Sequence, residues 1–184
     1  MGYRYTNDSK KEKMKTVKLF NIGTLVTYSA DQDCMVSLEN MEIVISDGKI
    51  IDIGNQLGDT DDVFNCENKL VTPGFVDCHT HLVFLEEREN EFYMRTKGFN
   101  YEEIANKGGG ISNSVNGVRN SSEIELINRV KPRMDDFLKL GTTTIEAKSG
   151  YGLDLDSELK SLKVLHEVNL IHDIDIIPTF MGAH

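Results

Sequence analysis

Two rhythms of apolar and polar residues run along this chain, and they change over near Val71. From Val17 to about Leu70 the text is strand-like, with β-branched residues concentrated over residues 17–28 and 41–53. Asp47-Gly48 stands between Glu42-Ile43-Val44-Ile45 and Lys49-Ile50-Ile51-Asp52-Ile53. An Asp-Gly pair between two such runs predicts a β-hairpin, because a two-residue turn selects these residue types. No charged cluster with catalytic spacing occurs in this stretch, so it reads as scaffold.

After Val71-Thr72-Pro73-Gly74 the pattern lengthens. Residues 75–84 predict a strand that opens onto a loop. A short helical stretch over Tyr101–Asn106, a glycine-rich loop (Gly108-Gly109-Gly110) and a longer helix follow. Ser121-Ser122-Glu123 supplies the cap of that helix, and Ile124, Ile127, Val130, Met134, Phe137 and Leu138 recur at roughly helical spacing. Gly141 is its natural stop. Residues 142–147 predict a second strand, 156–169 a second long helix and 174–180 a third strand. Strand, helix, strand, helix, strand is the order of a parallel β/α construction.

Composition changes this picture little and narrows the partners. With 184 residues and 39% hydrophobic content, the chain can build a core in one domain or two small ones. A formal net charge of −10 argues against nucleic acid or an anionic membrane as partner. No run approaches the roughly 20 apolar residues needed to span a bilayer. Residues 1–16, lysine-rich and polar, read as a disordered leader without the apolar core of a signal peptide. Cys34, Cys66 and Cys78 are sparse and odd in number, which suggests reduced thiols in a cytoplasmic setting, each a small buried hydrophobe.

Candidate chemistry gathers after Val71. His79 and His81 are two apart on a predicted strand, so both imidazoles leave the same face. The strand before them should be buried, and buried paired imidazoles need a partner that a metal ion supplies; the alternative is two histidines on a solvated face. Asp77 shares their parity, either orienting one ring or bonding nearby backbone. Arg88 follows in a loop expected at the mouth of the site; on its own it reads as a surface arginine. Glu146-Ala147-Lys148-Ser149-Gly150-Tyr151-Gly152 forms a turn that can present the Tyr151 phenol inward. His184 ends the third strand, at the strand end where barrel enzymes carry function. His166 and His172 read as structural or surface residues.

Pro73-Gly74-Phe75-Val76-Asp77-Cys78-His79-Thr80-His81 resembles the first-strand signature of the amidohydrolase superfamily. Three further blocks resemble the imidazolonepropionase family within it: Arg88-Glu89-Asn90-Glu91-Phe92, Lys148-Ser149-Gly150-Tyr151-Gly152-Leu153 and Thr179-Phe180-Met181-Gly182-Ala183-His184. Gly108-Gly109-Gly110-Ile111 also fits. The resemblance implies a TIM-like (β/α) barrel with a small β-sandwich, an α/β fold, with residues 17–70 in the sandwich and 71–184 opening the barrel. It implies one zinc or iron ion, with His79 and His81 as its first two ligands. It implies substrate contacts at Arg88, Tyr151 and His184, with His184 also catalytic. The implied reaction is hydrolysis of 4-imidazolone-5-propanoate to N-formimidoyl-L-glutamate by a cytoplasmic homodimer. One departure is Leu85-Glu86-Glu87, where the family more often has small residues.

Only three strands are predicted here, against eight in a barrel of about 250 residues. The sequence therefore reads as part of a longer product, inactive alone. Another amidohydrolase, such as a cyclic amidase or a deaminase, would share His79 and His81 but not the later blocks. A non-catalytic binding or assembly protein is the other alternative.

Overall fold

Residues 15–182 are described in this computed structural model, and they fall in two units, Met1–Pro73 and Gly74–His184. Most of the expected leader, and His184, lie outside the described residues.

The first unit is built of short strands. These are β1 (Thr16–Phe20), β2 (Thr24–Ser29), β3 (Cys34–Glu39), β4 (Glu42–Ser46), β5 (Lys49–Gly54), β6 (Asp62–Asn65) and β7 (Leu70–Val71). They form two sheets, ordered β5-β4-β1-β6 and β3-β2-β7. The Asp47-Gly48 turn closes the β4–β5 hairpin with φ of 51° and 68°, both left-handed as a type I′ turn requires. Residues 17–28 do not form one strand. The chain breaks at Asn21-Ile22-Gly23, where Asn21 takes φ 54°. A Cβ on Gly23 would lie 2.2 Å from the Asn68 carbonyl oxygen, so no side chain fits there. The two halves join different sheets. Ile22, Leu25, Ile43 and Cys66 make the core. Burial raises the Cys66 thiol pKa. Cys34 and Cys78 are exposed, against the expectation of burial.

The second unit contains β8 (Phe75–Thr80), then four helices, α1 (Glu89–Thr96), α2 (Tyr101–Asn106), α3 (Ile111–Asn120) and α4 (Glu123–Lys139). After them come β9 (Thr142–Lys148), α5 (Leu155–Asn169) and β10 (Asp175–Thr179). The three strands form a parallel sheet ordered β10-β9-β8. Ser122 caps α4 through a capping box with Glu125. Gly141, with φ 92°, follows the last helical residues as a C′ glycine. The buried stripe of α4 is Leu126, Val130 and Met134, with Ile127 and Phe137 at its margin. Ile124, expected on that stripe, is exposed. Val164, Leu165 and Val168 of α5 pack with it against Ile145 and Ala147 of β9 and Ile176 of β10.

Helices α1 and α3 were not anticipated from the pattern. The sole buried residue of α1 is Glu91, so it carries no apolar stripe. The α3 sequence is rich in Asn, Ser and Gly, poor helix formers, and it is held by burial of Ser114, Val115 and Val118. The strand before His79 is also not buried as expected: Phe75 is 60% and Val76 68% exposed. Strand β8 is an edge that pairs with β9 alone among the described residues.

Candidate active site

His79, His81 and Tyr151 converge at the C-terminal ends of β8 and β9. His79 is the second-last residue of β8, and His81 follows its end. Their ring centroids lie 6.0 Å apart with planes at 67°. Asp77 accepts a hydrogen bond from the His79 backbone N–H at 3.2 Å, the backbone-bonding one of the two roles open to it. Thr80 ties this strand end to β9 by donating to the Glu146 carbonyl at 2.8 Å.

Tyr151 reaches His81 from the turn after β9, with ring centroids 5.1 Å apart and tilted by 33°. The turn is held from beneath by a residue that sequence reasoning missed. Glu158 of α5, 1% exposed, accepts from the Gly152 N–H at 2.7 Å and the Leu153 N–H at 2.9 Å. A Cβ on Gly152 would meet the Ser157 Cβ at 2.6 Å, so glycine is required at this approach. Glu158 hides in the sequence because an acid in a first helical turn looks like a response to the helix dipole.

Phe84 continues the aromatic contacts, standing edge-on to Tyr151 at 6.5 Å. The Arg133 guanidinium of α4 covers the Phe84 ring at 3.4 Å and donates to the Leu82 and Phe84 carbonyls at 3.0 and 2.8 Å. Burial lowers the Arg133 pKa.

Phe84 and Tyr151 line a cavity of about 240 Å³ with Arg88 and Ser114, and Glu86, Glu87 and Glu89 also line it. Arg88 and Tyr151, 63 positions apart, are thus brought to one pocket. Arg88 is the N-cap residue of α1 rather than part of a free loop. Its Nη2 donates to Glu91 at 2.7 Å, and its buried Nε has no hydrogen-bond partner among the described residues. The other Glu91 oxygen accepts from the Gly110 N–H at 2.7 Å. Arg88, first among its neighbours, holds the Glu91 carboxyl below the ordinary glutamate range, and Glu91 in turn raises the Arg88 pKa. On β9, Lys148 and then Thr179 lower the Glu146 pKa, with His79 adding to the effect.

Among the described residues, no group of three or more His, Cys, Asp or Glu is placed to hold a metal ion. His184 is not part of the described geometry. His166 is exposed, and His172 bonds Asp135 at 3.2 Å, away from the pocket residues.

No family model matches the chain. Over 175 residues it is 41% identical to an imidazolonepropionase of Brucella anthropi, covering 92% of this chain and 43% of that relative. Over 165 residues it is 46% identical to an imidazolonepropionase of Clostridium tetani, covering 85% of this chain and 39% of the other. This chain is a relative of the imidazolonepropionases. It spans about two fifths of the length of those two enzymes. In structure, this imidazolonepropionase relative is similar to the Aspergillus niger ochratoxinase, with a TM-score of 0.56 at 17% identity over 91% of this chain and 31% of that one. It is also similar to a metal-dependent hydrolase of Pyrococcus furiosus, with a TM-score of 0.56 at 14% identity over 90% of this chain and 50% of that one. At such identities the likeness speaks for the fold: a small β unit followed by parallel β/α construction.

Proposed function

We propose that this chain forms part of an imidazolonepropionase, which opens the ring amide C–N bond of 4-imidazolone-5-propanoate by hydrolysis to give N-formimidoyl-L-glutamate. The observation that carries the reading is the convergence of Arg88 and Tyr151 on one cavity, with Tyr151 stacked on His81. In this reading residues 17–70 belong to a β-sandwich and residues 71–184 open a TIM-like barrel. The assembly is a cytoplasmic homodimer, and no described helix is long and apolar enough to cross a membrane.

His79 and His81 stand together at one strand end, and imidazole nitrogen is a ligand for zinc and for iron. His79 and His81 would hold a single zinc or iron ion, together with ligands beyond the described residues. The ion would supply Lewis acidity and an activated water. Arg88 offers its guanidinium to the propanoate carboxylate, a charge-assisted donor in a partly desolvated pocket. Tyr151, fixed between His81 and Phe84, sets the plane against which the imidazolone ring lies. His184 is assigned to the ring carbonyl, where a donor to developing negative charge contributes about 10²–10³ in rate.

Metal content and product formation test this together, on protein expressed from its complete reading frame. Near-stoichiometric zinc or iron and release of N-formimidoyl-L-glutamate are expected, both lost in the His79→Ala/His81→Ala variant. Turnover of the imidazolone that survives this double substitution would overturn the assignment.

A further inference from the structure

The Gly108-Gly109-Gly110 run and the one buried residue of α1 have no place in the chemistry above, yet they meet. Glu91 is 6% exposed on a helix that buries nothing else. Both of its oxygens are engaged, one by Arg88 Nη2 and one by the Gly110 N–H, each at 2.7 Å. Gly110 takes φ 79°, and a Cβ on Gly109 would come within 3.1 Å of the Glu91 oxygen and 2.8 Å of Ile104. The glycines therefore let the backbone close on the carboxylate. Burying a carboxylate is costly unless it is paired and hydrogen-bonded, and here the pairing partner is the arginine that lines the cavity.

Resting on the reading that Arg88 anchors the substrate, we propose that Glu91 is the positioning residue for that arginine. It engages Nη2 and fixes the plane of the guanidinium. The accessible part of the guanidinium is then held steady for a ligand carrying one carboxylate. Gly110 completes the brace by anchoring Glu91 to the start of α3.

A double-mutant cycle on the complete protein separates positioning from bulk support of the fold. Glu91→Gln keeps the shape and the acceptor for Gly110. It should raise KM for 4-imidazolone-5-propanoate about tenfold and change kcat by less than about threefold. The Arg88→Ala/Glu91→Gln double variant should be no worse than Arg88→Ala alone. Full additivity, or an unchanged KM in Glu91→Gln, overturns the proposal. A second arm needs no turnover and uses this chain with sodium propionate. The Arg88 guanidinium resonances should shift saturably in the unsubstituted chain, with about tenfold weaker affinity in Glu91→Gln. Equal or tighter propionate binding in Glu91→Gln overturns the positioning role. An absence of imidazolone turnover beside an intact propionate response would instead count against the enzyme reading alone.

Discussion

Replacing Glu158 by leucine removes the single acceptor that holds the Tyr151 turn, and its cost can be worked from the hydrogen bonds. The Gly152 N–H is buried and would lose its 2.7 Å partner outright. A buried donor left unsatisfied costs about 1–3 kcal/mol. The Leu153 N–H sits on an exposed residue, where water replaces much of its 2.9 Å bond. Together the loss is about 2–4 kcal/mol. Glu158→Gln keeps an acceptor in place and should cost less than about 1 kcal/mol. Urea unfolding followed by helical circular dichroism reports on this region selectively, because the five helices among the described residues belong to the second unit. With an m-value of about 2 kcal/mol/M, the midpoint of Glu158→Leu should fall by about 1–2 M. A shift within about 0.2 M of the unsubstituted chain would refute the reasoning. So would an equal loss in Glu158→Gln, since shape alone would then explain the effect.

Two further outcomes follow from the core and from the Arg88–Glu91 pair. Met134→Ala empties a fully buried site between α4 and the sheet, and should cost about 2–5 kcal/mol in the same urea assay. Glu91, held below its ordinary value of 4.5 chiefly by Arg88, contributes stability above that pH that is lost as the pH falls through the lowered value. The midpoint of the second unit should therefore decline on acidification below about pH 4.5, and the decline should be shallower in Glu91→Gln.

Legibility from sequence followed how local the deciding interaction was. The Asp47-Gly48 turn and the Ser122 cap were readable because a few adjacent residues determine them. The break at Asn21-Ile22-Gly23 was not, since it depends on Asn68 closing on Gly23 from far along the chain. Helices α1 and α3 escaped because tertiary contacts override their weak patterns: a buried acid in one, two buried valines in the other. At the site, the resemblance named Arg88 and Tyr151, and the structure gives them a common cavity. Burial of the strand before His79 was misjudged because β8 is an edge whose Phe75 and Val76 stay exposed among the described residues. Glu91, Glu158 and Arg133 were illegible because each acts by supporting another residue. The sole sequence hint was a Glu three positions after Arg88, one turn along a helix not foreseen.

Arg133 has a consequence for the order in which this region assembles. Its two backbone acceptors, at Leu82 and Phe84, lie 51 and 49 residues earlier in the chain. Individual helices form within about a microsecond, but a bond across some fifty residues must wait for a long loop to close. The segment that carries His81 and Phe84 therefore reaches its native path only after α4 has docked. A chain emerging residue by residue would fix this stretch of pocket wall only once Arg133 had emerged, some fifty residues after the stretch itself.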